Sequence, residues 1–421
     1  MSPQTFVAPT VSVRFGAGPD YSAFTLSEGA ILGSSVLGAG VPYTDLSSKV
    51  RKLVLRSGRS RELAHYNAAT TTSTFDNQDN SLSPFNLSGP YSSGGKTQVL
   101  PGRMMKVALT WDGTEYPLSK TTIRDWKLNY KFAGISGTTA QGDGTSVAVG
   151  SGLLADLQNQ TISGLTTSAG KAGQAVNSIL DACDPAITSR NVDTGIHDMA
   201  SISVSGNALE AIRLFSFSEK IDISDVWTDN SNVLQWGGAT SLDSTTSLTT
   251  IGVAGMPIHK VIVDMDSTLI RNKMTLTRQG SSSAQVAEDA TSISEFGRKS
   301  LDKTGITLAS DSDTLKLSEA GVALLKDPKA RVRQVELAPL SANTDALMIQ
   351  CLTRQLRDLI SVSWTPVGAT APIVEKHHII GIEHIFTPQN MRTIWTLNDA
   401  EDRIGQYFIL GTSTLPATFS W

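Results

Sequence analysis

The stretch from Val50 to Tyr91 reads VRKLVLRSGRSRELAHYNAATTTSTFDNQDNSLSPFNLSGPY. It predicts a strand that leads into a turn at Ser57–Leu63, followed by a threonine-rich strand, because β-branched residues favour extended backbone. The Asp- and Asn-rich run that comes next predicts a loop, since Asx side chains hydrogen-bond their own backbone two residues on. This part of the chain therefore reads as strand, turn, strand and loop.

A hairpin follows the loop, in the segment Pro101–Phe132. Apolar residues alternate with polar ones in its first half, which places one set on a buried face: Met105, Val107, Leu109 and Trp111. Asp112 and Gly113 then supply the positive φ angles that a type I′ turn needs. A second alternating set predicts a half-buried strand with an aromatic face: Trp126, Leu128, Tyr130 and Phe132.

The composition favours a β-rich assembly protein over a typical soluble enzyme. The chain has 421 residues, of which 40% are hydrophobic and only 18% are charged. Recurrent Gly, Ser and Thr clusters are typical of many turns between short strands. We expect a mainly β fold with a few short helices, arranged as several β-sandwich-like or β-barrel-like domains. The net charge of −4 argues against a nucleic-acid-binding footprint.

We predict three regions, an N-terminal β domain (1–125), a mixed α+β domain (126–260) and a C-terminal β-rich domain (261–421). Domains of this size are large enough to hold a core each. The last region is expected to contain a short helix that Pro328 stops. Strands are expected after it at these positions: 331–337, 361–366, 374–386 and 392–397.

Two amphipathic helices are expected in the middle region. One presents a stripe of apolar residues at helical spacing: Ala172, Ala175, Val176, Ile179, Leu180 and Cys183. The other begins at Asn207, with Glu210 three residues on as a capping pair. A hairpin between Trp227 and Trp236 follows, since an Asp-Asn-Ser-Asn turn separates the two tryptophans.

Neither the cysteines nor the hydropathy points to a metal or a membrane. Cys183 and Cys351 lie far apart with no CxxC pairing, so we expect two buried thiols and neither a disulfide framework nor a zinc site. The chain opens without a basic segment before an apolar run, and it contains no uncharged apolar run of about 18 residues. We expect a protein that is made in the cytoplasm and stays soluble until it meets a partner.

One motif points to enzymatic chemistry. The run VIVDMDSTLI at Val261–Ile270 resembles the first motif of haloacid-dehalogenase-type phosphatases. In such an enzyme Asp264 would be the nucleophile, Asp266 would protonate the leaving group and Thr268 would hold the loop. Magnesium would bridge Asp264 and the phosphate.

The rest of the sequence does not supply what this chemistry needs. The family also uses a downstream Lys and an acidic pair, usually Gly-Asp or Asp-Asp, and neither pair occurs after Thr268. The motif normally opens a domain of alternating strands and helices, whereas this chain runs mostly from strand to strand. We therefore expect an edge strand whose Asp264 and Asp266 face solvent beside a turn, with a phosphatase as the alternative.

Three other polar clusters have structural interpretations. In EKHHIIGIEH at Glu375–His384, the two histidines that share a face are separated by several residues at about 3.3 Å per residue, too far to chelate a metal together. The Asp76–Asn80 run lacks the Gly and the distal Glu of a calcium loop, so we expect an Asx turn. A small basic cluster is expected to be a solvated turn or a subunit contact: Arg56, Arg59 and Arg61.

Several landmarks occur in an order that resembles one protein family. They are the opening strands and hairpin, the helix start Asn207–Ala211 with its hairpin, and Asp289–Arg298, Leu324–Leu337 and Ile379–Leu397. Together they are similar to minor tail proteins that form the tail-tip (baseplate) hub of long-tailed bacteriophages (siphoviruses), of the actinobacteriophage type. The polar segment Gly134–Gly150 departs from that pattern.

The resemblance implies a structural role in the virion, without catalytic residues, cofactors or metals. The hub would be a ring, expected to be a homotrimer, at the tip of the tail. It would lie beneath the distal tail protein and the end of the tape-measure protein, and tail fibres or receptor-binding proteins would attach to its periphery. The ring would close the tail tube and act in host attachment and genome ejection, with phage DNA present only in transit and no membrane span.

A carbohydrate-binding tail protein is the third hypothesis. Four tryptophans could stack on sugars: Trp111, Trp126, Trp227 and Trp236. Aromatic residues on alternating strands are more often part of a core, however. The burial of these four side chains would decide between the two interpretations. The sequence alone does not show it, so this alternative stays open.

Overall fold

A computed structural model describes residues 8–16, 42–130, 144–253, 255–342 and 344–400. The predicted aromatic Phe132 and the first part of the Gly134–Gly150 segment lie outside these residues. Strands account for 43% of the structure and helices for 19%, which confirms the mainly β prediction.

The elements before residue 152 are β1 (Thr10–Arg14), β2 (Thr44–Asp45), β3 (Val50–Gly58), β4 (Asn67–Asp76), β5 (Ser92–Ser93), β6 (Lys96–Thr97), β7 (Met104–Trp111), β8 (Thr114–Asn129) and β9 (Thr145–Ser151). The next are α1 (Leu153–Leu157), β10 (Thr161–Thr166), β11 (Gly170–Lys171), α2 (Ala172–Asp181), β12 (Arg190–Val192), β13 (Asp198–Met199), β14 (Ser203–Asn207), α3 (Ala208–Glu219), β15 (Asp225–Thr228), β16 (Leu234–Gly237) and β17 (Thr250–Gly252). The last are β18 (Lys260–Asp264), β19 (Lys273–Arg278), β20 (Ala284–Glu288), α4 (Ala290–Phe296), β21 (Ser300–Ile306), α5 (Asp311–Leu325), β22 (Arg331–Leu337), α6 (Pro339–Ala342), α7 (Asp345–Thr353), β23 (Leu359–Trp364), β24 (Ile373–Thr387) and β25 (Asn390–Asp399).

Thirteen of these strands form one large, mostly antiparallel sheet. Its order is β18-β22-β25-β24-β3-β4-β9-β8-β7-β1-β2, and β23 branches from β24 and carries β17. The sheet therefore joins strands from both ends of the described chain, because β24 pairs with β3. The strands predicted in the C-terminal region are all present as β22 to β25.

The inner face of this sheet holds a first hydrophobic core. The predicted hairpin is confirmed, since Asp112 and Gly113 have φ angles of 48° and 74° between β7 and β8. Trp126 and Leu128 are half-buried as predicted, whereas Tyr130 is exposed. All of the residues predicted for the buried face of β7 belong to this core: Met105, Val107, Leu109 and Trp111.

A second hydrophobic core lies among the helices. The whole predicted stripe of α2 is buried in it, including Cys183 just beyond the helix end. Helix α3 begins as predicted, because the side chain of Asn207 accepts a hydrogen bond of 3.0 Å from the backbone N–H of Glu210. Strands β15 and β16 form the predicted hairpin around Trp227 and Trp236.

The two hydrophobic cores do not simply follow one another along the sequence. The sheet core takes its buried members from residues 11–148 and 251–397, whereas the helical core takes them from residues 153–325. The division into three domains at residues 125 and 260 stays a prediction.

The middle of the large sheet is a seam at which β3 meets β24. Both strands have irregular register there, next to Gly58 and Gly381. Gly58 has a φ of +100°, and a Cβ atom at this position would lie 2.3 Å from the carbonyl oxygen of Ile380 and 2.6 Å from the Cα of Gly381. Glycine is required because only it combines this backbone angle with such a close approach.

We predict that Gly58→Ala lowers the free energy of unfolding by about 3 kcal/mol or more, since backbone strain and a clash with backbone atoms add. The matched control is Gly280→Ala, at a φ of +79° with no atom within 4 Å of the added Cβ. Gly280→Ala should lower the free energy of unfolding only by the cost of backbone strain, about 1 kcal/mol. Urea denaturation measures both, and equal losses would show that the seam tolerates a side chain.

Candidate functional site

The outer face of the large sheet is an extended surface with many polar side chains. One row of paired residues crosses eight strands from β18 to β8: Lys260, Glu336, Ile394, Glu383, Arg56, Thr70, Ser151 and Thr122. All except Thr122 are half-buried or exposed. We call this surface the open face.

Ion pairs connect neighbouring strands on the open face. Arg56 on β3 lies 2.8 Å from Glu383 on β24, and Arg333 on β22 lies 3.0 Å from Asp264 on β18. A third pair joins Arg392 on β25 to Glu336 on β22. Towards β8 the face changes character, and its residues on β4 and β9 are small and mostly uncharged: Thr70, Thr72, Thr74, Val147, Val149 and Ser151.

A groove of about 490 Å³ follows the seam on the open face. It is lined by backbone and side chains from β3, β4, β22, β24 and β25, including Arg56, Arg333 and Glu383. The close contact of Gly58 and Gly381 forms part of its wall, since neither residue has a side chain to fill the space.

The prediction of a solvated basic turn is wrong for Arg59. Arg56 and Arg61 are exposed as predicted, but Arg59 is 4% exposed and lies 2.6 Å from the buried carboxylate of Asp222. Burial alone lowers the pKa of the Arg59 guanidinium, yet the charge of Asp222, helped by other acidic groups nearby, raises that pKa above its usual value. The turn that was predicted to be solvated is therefore held inside the protein by the ion pair of Arg59 with Asp222, which we call the anchor.

The anchor connects the sheet core to the helical core. Besides Asp222, Arg59 donates to the carbonyl of Ala64 at 3.1 Å, and the backbone N–H of Leu63 donates to Asp222 at 2.7 Å. Arg357 reaches the same region, where its guanidinium lies 4.5 Å from the ring centre of Trp227. Leu63 and Arg357 have positive φ angles, which are rare for such residues and mark locally strained backbone, and Asp222, a residue type that tolerates this region better, has a φ of 60°.

The phosphatase-like motif lies where an edge strand was predicted. Strand β18 lies at the end of the large sheet, and within the described part of the chain it pairs only with β22, antiparallel. Asp264 is held by Arg333, and the hydroxyl and backbone N–H of Thr268 donate to Asp266 at 2.6 and 2.8 Å. These hydrogen bonds lower the pKa of Asp266, so its carboxyl is ionised at neutral pH and does not suit the proton-donor role.

The histidines of the Glu375–His384 segment are structural, as predicted. His377, His378 and His384 are 1%, 1% and 5% exposed. Nδ1 of His378 lies 3.1 Å from the carbonyl oxygen of Arg357, and Nδ1 of His384 lies 2.9 Å from the hydroxyl of Thr393. Burial lowers the pKa of His384 to about 4. Among the described residues, no group of three or more His, Cys, Asp or Glu side chains is arranged to hold a metal ion.

The other predicted clusters also have structural roles. Asp76 and Asp79 accept backbone N–H groups two residues on at 3.0 and 3.1 Å, which confirms the Asx turns. Trp111 and Trp236 belong to the cores, so the carbohydrate hypothesis loses two of its four tryptophans. Both cysteines are buried and free. Of the helices that the structure describes, none combines the length and apolar character needed to cross a membrane.

Exposed apolar side chains mark further candidate contacts. The edge strand and the turn after it expose Ile262, Val263 and Met265, of which Met265 is 64% exposed. Phe85 and Leu87 project from the loop after β4, with Phe85 at 83% exposed. Large apolar side chains on the surface are typical of sites that another protein covers. Phe85 and Leu87 belong to no sequence motif, whereas Ile262, Val263 and Met265 lie within the Val261–Ile270 motif, whose pattern does not predict which apolar side chains stay exposed.

No family model matches the chain, and no curated protein matches it either. Solved structures do match its fold. It is similar to a tail protein from Neisseria meningitidis MC58, with a TM-score of 0.58 and 13% identity over 94% of this chain and 100% of that one. It is also similar to the 43 kDa tail protein of prophage MuSo2 from Shewanella oneidensis, with a TM-score of 0.55 and 13% identity over 94% and 99% of the two chains. These two likenesses confirm the predicted phage-tail fold. At 13% sequence identity they are evidence for the fold alone.

We predict that Asp222→Asn lowers the free energy of unfolding by about 3 to 5 kcal/mol, because it leaves the Arg59 charge buried without a carboxylate. Asn tolerates the positive φ of 60° at this position, so the change isolates the charge. The control is Glu383→Gln in the half-buried ion pair with Arg56, whose side chain is 65% exposed; it should cost about 1 kcal/mol or less. Chemical denaturation that gave equal losses would mean that the anchor is not needed for stability.

The lowered pKa of His384 predicts a loss of stability in acid. Unfolding restores the usual histidine pKa of 6.5, so the unfolded chain binds the proton more readily than the folded one. The contribution is fully present above pH 6.5 and is lost as the pH falls towards 4, by about 3 kcal/mol in total.

His384→Gln should therefore flatten the dependence of the urea midpoint on pH between pH 6.5 and 4. His259→Gln is the control, because the side chain of His259 is 57% exposed. The control should keep the slope of the unmodified protein. An unchanged slope in His384→Gln would contradict the assignment.

Proposed function

We propose that this chain is a structural component of a phage tail, the baseplate hub at the tail tip of a long-tailed phage. The observation that carries the proposal is the likeness of fold to two tail proteins along nearly the full length of this chain and of both of those proteins. The landmarks of the actinobacteriophage type in the sequence support the finer assignment to that group of siphoviruses. In this role the protein acts through its geometry, without a chemical step.

The hub is a ring, and a homotrimer is the state that we propose. Strand β18 supports this arrangement, because among the residues that the structure describes it has a neighbour on one side only and exposes apolar residues. Monomeric proteins usually protect such edges with charge, proline or a covering segment. An edge that meets a different surface on the next copy is a heterologous contact, which closes into a ring when the rotation allows it.

The open face lines the tail channel in this proposal, and phage DNA passes along it during genome ejection. The distal tail protein and the end of the tape-measure protein meet the ring from the tube side, and tail fibres or receptor-binding proteins attach to its periphery. The exposed Phe85 and Leu87 are suitable for such attachments. The protein would then belong to the virion, after assembly in the host cytoplasm.

We predict that the purified chain forms a trimer of three times 44.8 kDa in mass photometry, visible as a ring in negative-stain electron microscopy. Ile262→Asp on the edge strand should raise the dissociation constant of the ring by about tenfold or more, since it places a charge in an apolar contact. Val286→Asp is the control, because Val286 is 44% exposed on another strand, β20. A chain that is monomeric at every concentration would contradict the ring.

Labelling of phage particles tests the place of the protein in the virion. Antiserum to the chain, followed by immunogold microscopy, should label the distal end of the tail. Gold along the tail shaft would keep the structural role and contradict the hub. Absence of label from intact and disrupted particles would contradict both.

A further inference from the structure

Three arginines of the open face form ion pairs with adjacent strands at its charged half, between β18 and β3. Arg56, Arg333 and Arg392 each lie against a carboxylate on the adjacent strand. The partners are Glu383, Asp264 and Glu336. The charges of these three pairs cancel, and the face also carries the exposed Lys52 and Lys260, which form no ion pair within the described part of the chain.

We propose that these three ion pairs prevent the open face from binding a polyanion, so that double-stranded DNA moves along it without being held. The inference rests on the proposed function, in which this face lines the tail channel. It assigns a specific role to the three carboxylates, which is to occupy arginines that would otherwise bind phosphate.

Arginine is the side chain best suited to bind phosphate, because its planar guanidinium donates two parallel hydrogen bonds to one phosphate group. Binding of DNA gains its free energy from counterions released by unpaired cations. Glu383, at 2.8 Å from Arg56, already accepts from that guanidinium, and its charge repels an approaching phosphate. A phosphate must therefore displace a carboxylate before it can bind.

Stability alone does not account for three such pairs. The arginine side chains are 65%, 44% and 44% exposed at Arg56, Arg333 and Arg392. Ion pairs with this exposure contribute only about 0 to 1 kcal/mol each to folding. Three uncharged pairs, like the threonine and valine residues of β4 and β9, would serve the fold as well. What the ion pairs add is a neutralised charge on each of the three arginines when a polyanion approaches.

The test removes the three carboxylates while keeping their shapes. In the variant with Glu383→Gln, Glu336→Gln and Asp264→Asn, the three arginines lose their charged partners. We expect the unmodified chain not to bind a duplex of about 30 base pairs at about 50 mM salt. The variant should bind it, and the logarithm of its association constant should fall with the logarithm of salt concentration at a slope of about −3, from about 0.9 per freed cation.

A matched control separates local from overall charge. Glu295→Gln, Glu319→Gln and Asp302→Asn replace three exposed carboxylates outside the open face. Both triple variants change the net charge from −4 to −1, because −4 + 3 = −1. The control should bind DNA no better than the unmodified chain. Addition of Arg56→Gln, Arg333→Gln and Arg392→Gln to the first variant should abolish its binding.

Three results would overturn the inference: DNA binding by the unmodified chain, no binding by the carboxylate variant, or equal binding by the control. Circular dichroism verifies that each variant is folded. If the triple variant does not fold, the three single variants replace it, each with an expected slope of about −1. Ring formation is measured separately by mass photometry, so a chain that never forms rings contradicts the proposed function while the DNA measurements still decide the inference.

Discussion

The junction at Gly58 and Arg59 is the constraint on which the rest of the structure depends. Gly58 lets β3 approach β24 closely enough to join the two halves of the sheet. The next residue, Arg59, points inward and fixes the helical core through Asp222. Two consecutive residues thus determine both the continuity of the sheet and the position of the second core beside it. A change at either one affects strands that lie far apart in the sequence.

A continuous sheet with one packed face leaves its other face available across eight strands. The low charge of the chain, 18% of residues, suits this architecture, because much of that face is built from short polar and β-branched side chains. Three arginines of the face are matched by carboxylates on neighbouring strands, as in the pair of Arg56 and Glu383. The surface is therefore polar enough to stay hydrated without presenting a concentrated field of one sign.

The features that the sequence predicted are those set by neighbouring residues. The Asp112–Gly113 turn, the Asn207 cap and the stripe of α2 each depend on residues within a few positions, so propensity and periodicity are sufficient. The anchor was not predictable in this way, because Arg59 and Asp222 are 163 positions apart. The pairing of β3 with β24, and the ion pair of Arg56 with Glu383 that joins them, also bring together residues far apart in the sequence. A local sequence pattern does not contain this information.

The motif at Val261–Ile270 shows why topology also decides chemistry. Its apolar run and its two aspartates would fit a phosphatase if the strand were central in a parallel sheet, because the carboxyl ends of such strands meet in a crevice. Here the same residues form an antiparallel edge. Asp264 then meets an arginine of the neighbouring strand, and Asp266 caps a short turn through Thr268. The spacing of the two carboxylates is unchanged, but each is held by a structural partner, and Asp264 forms one of the ion pairs of the open face.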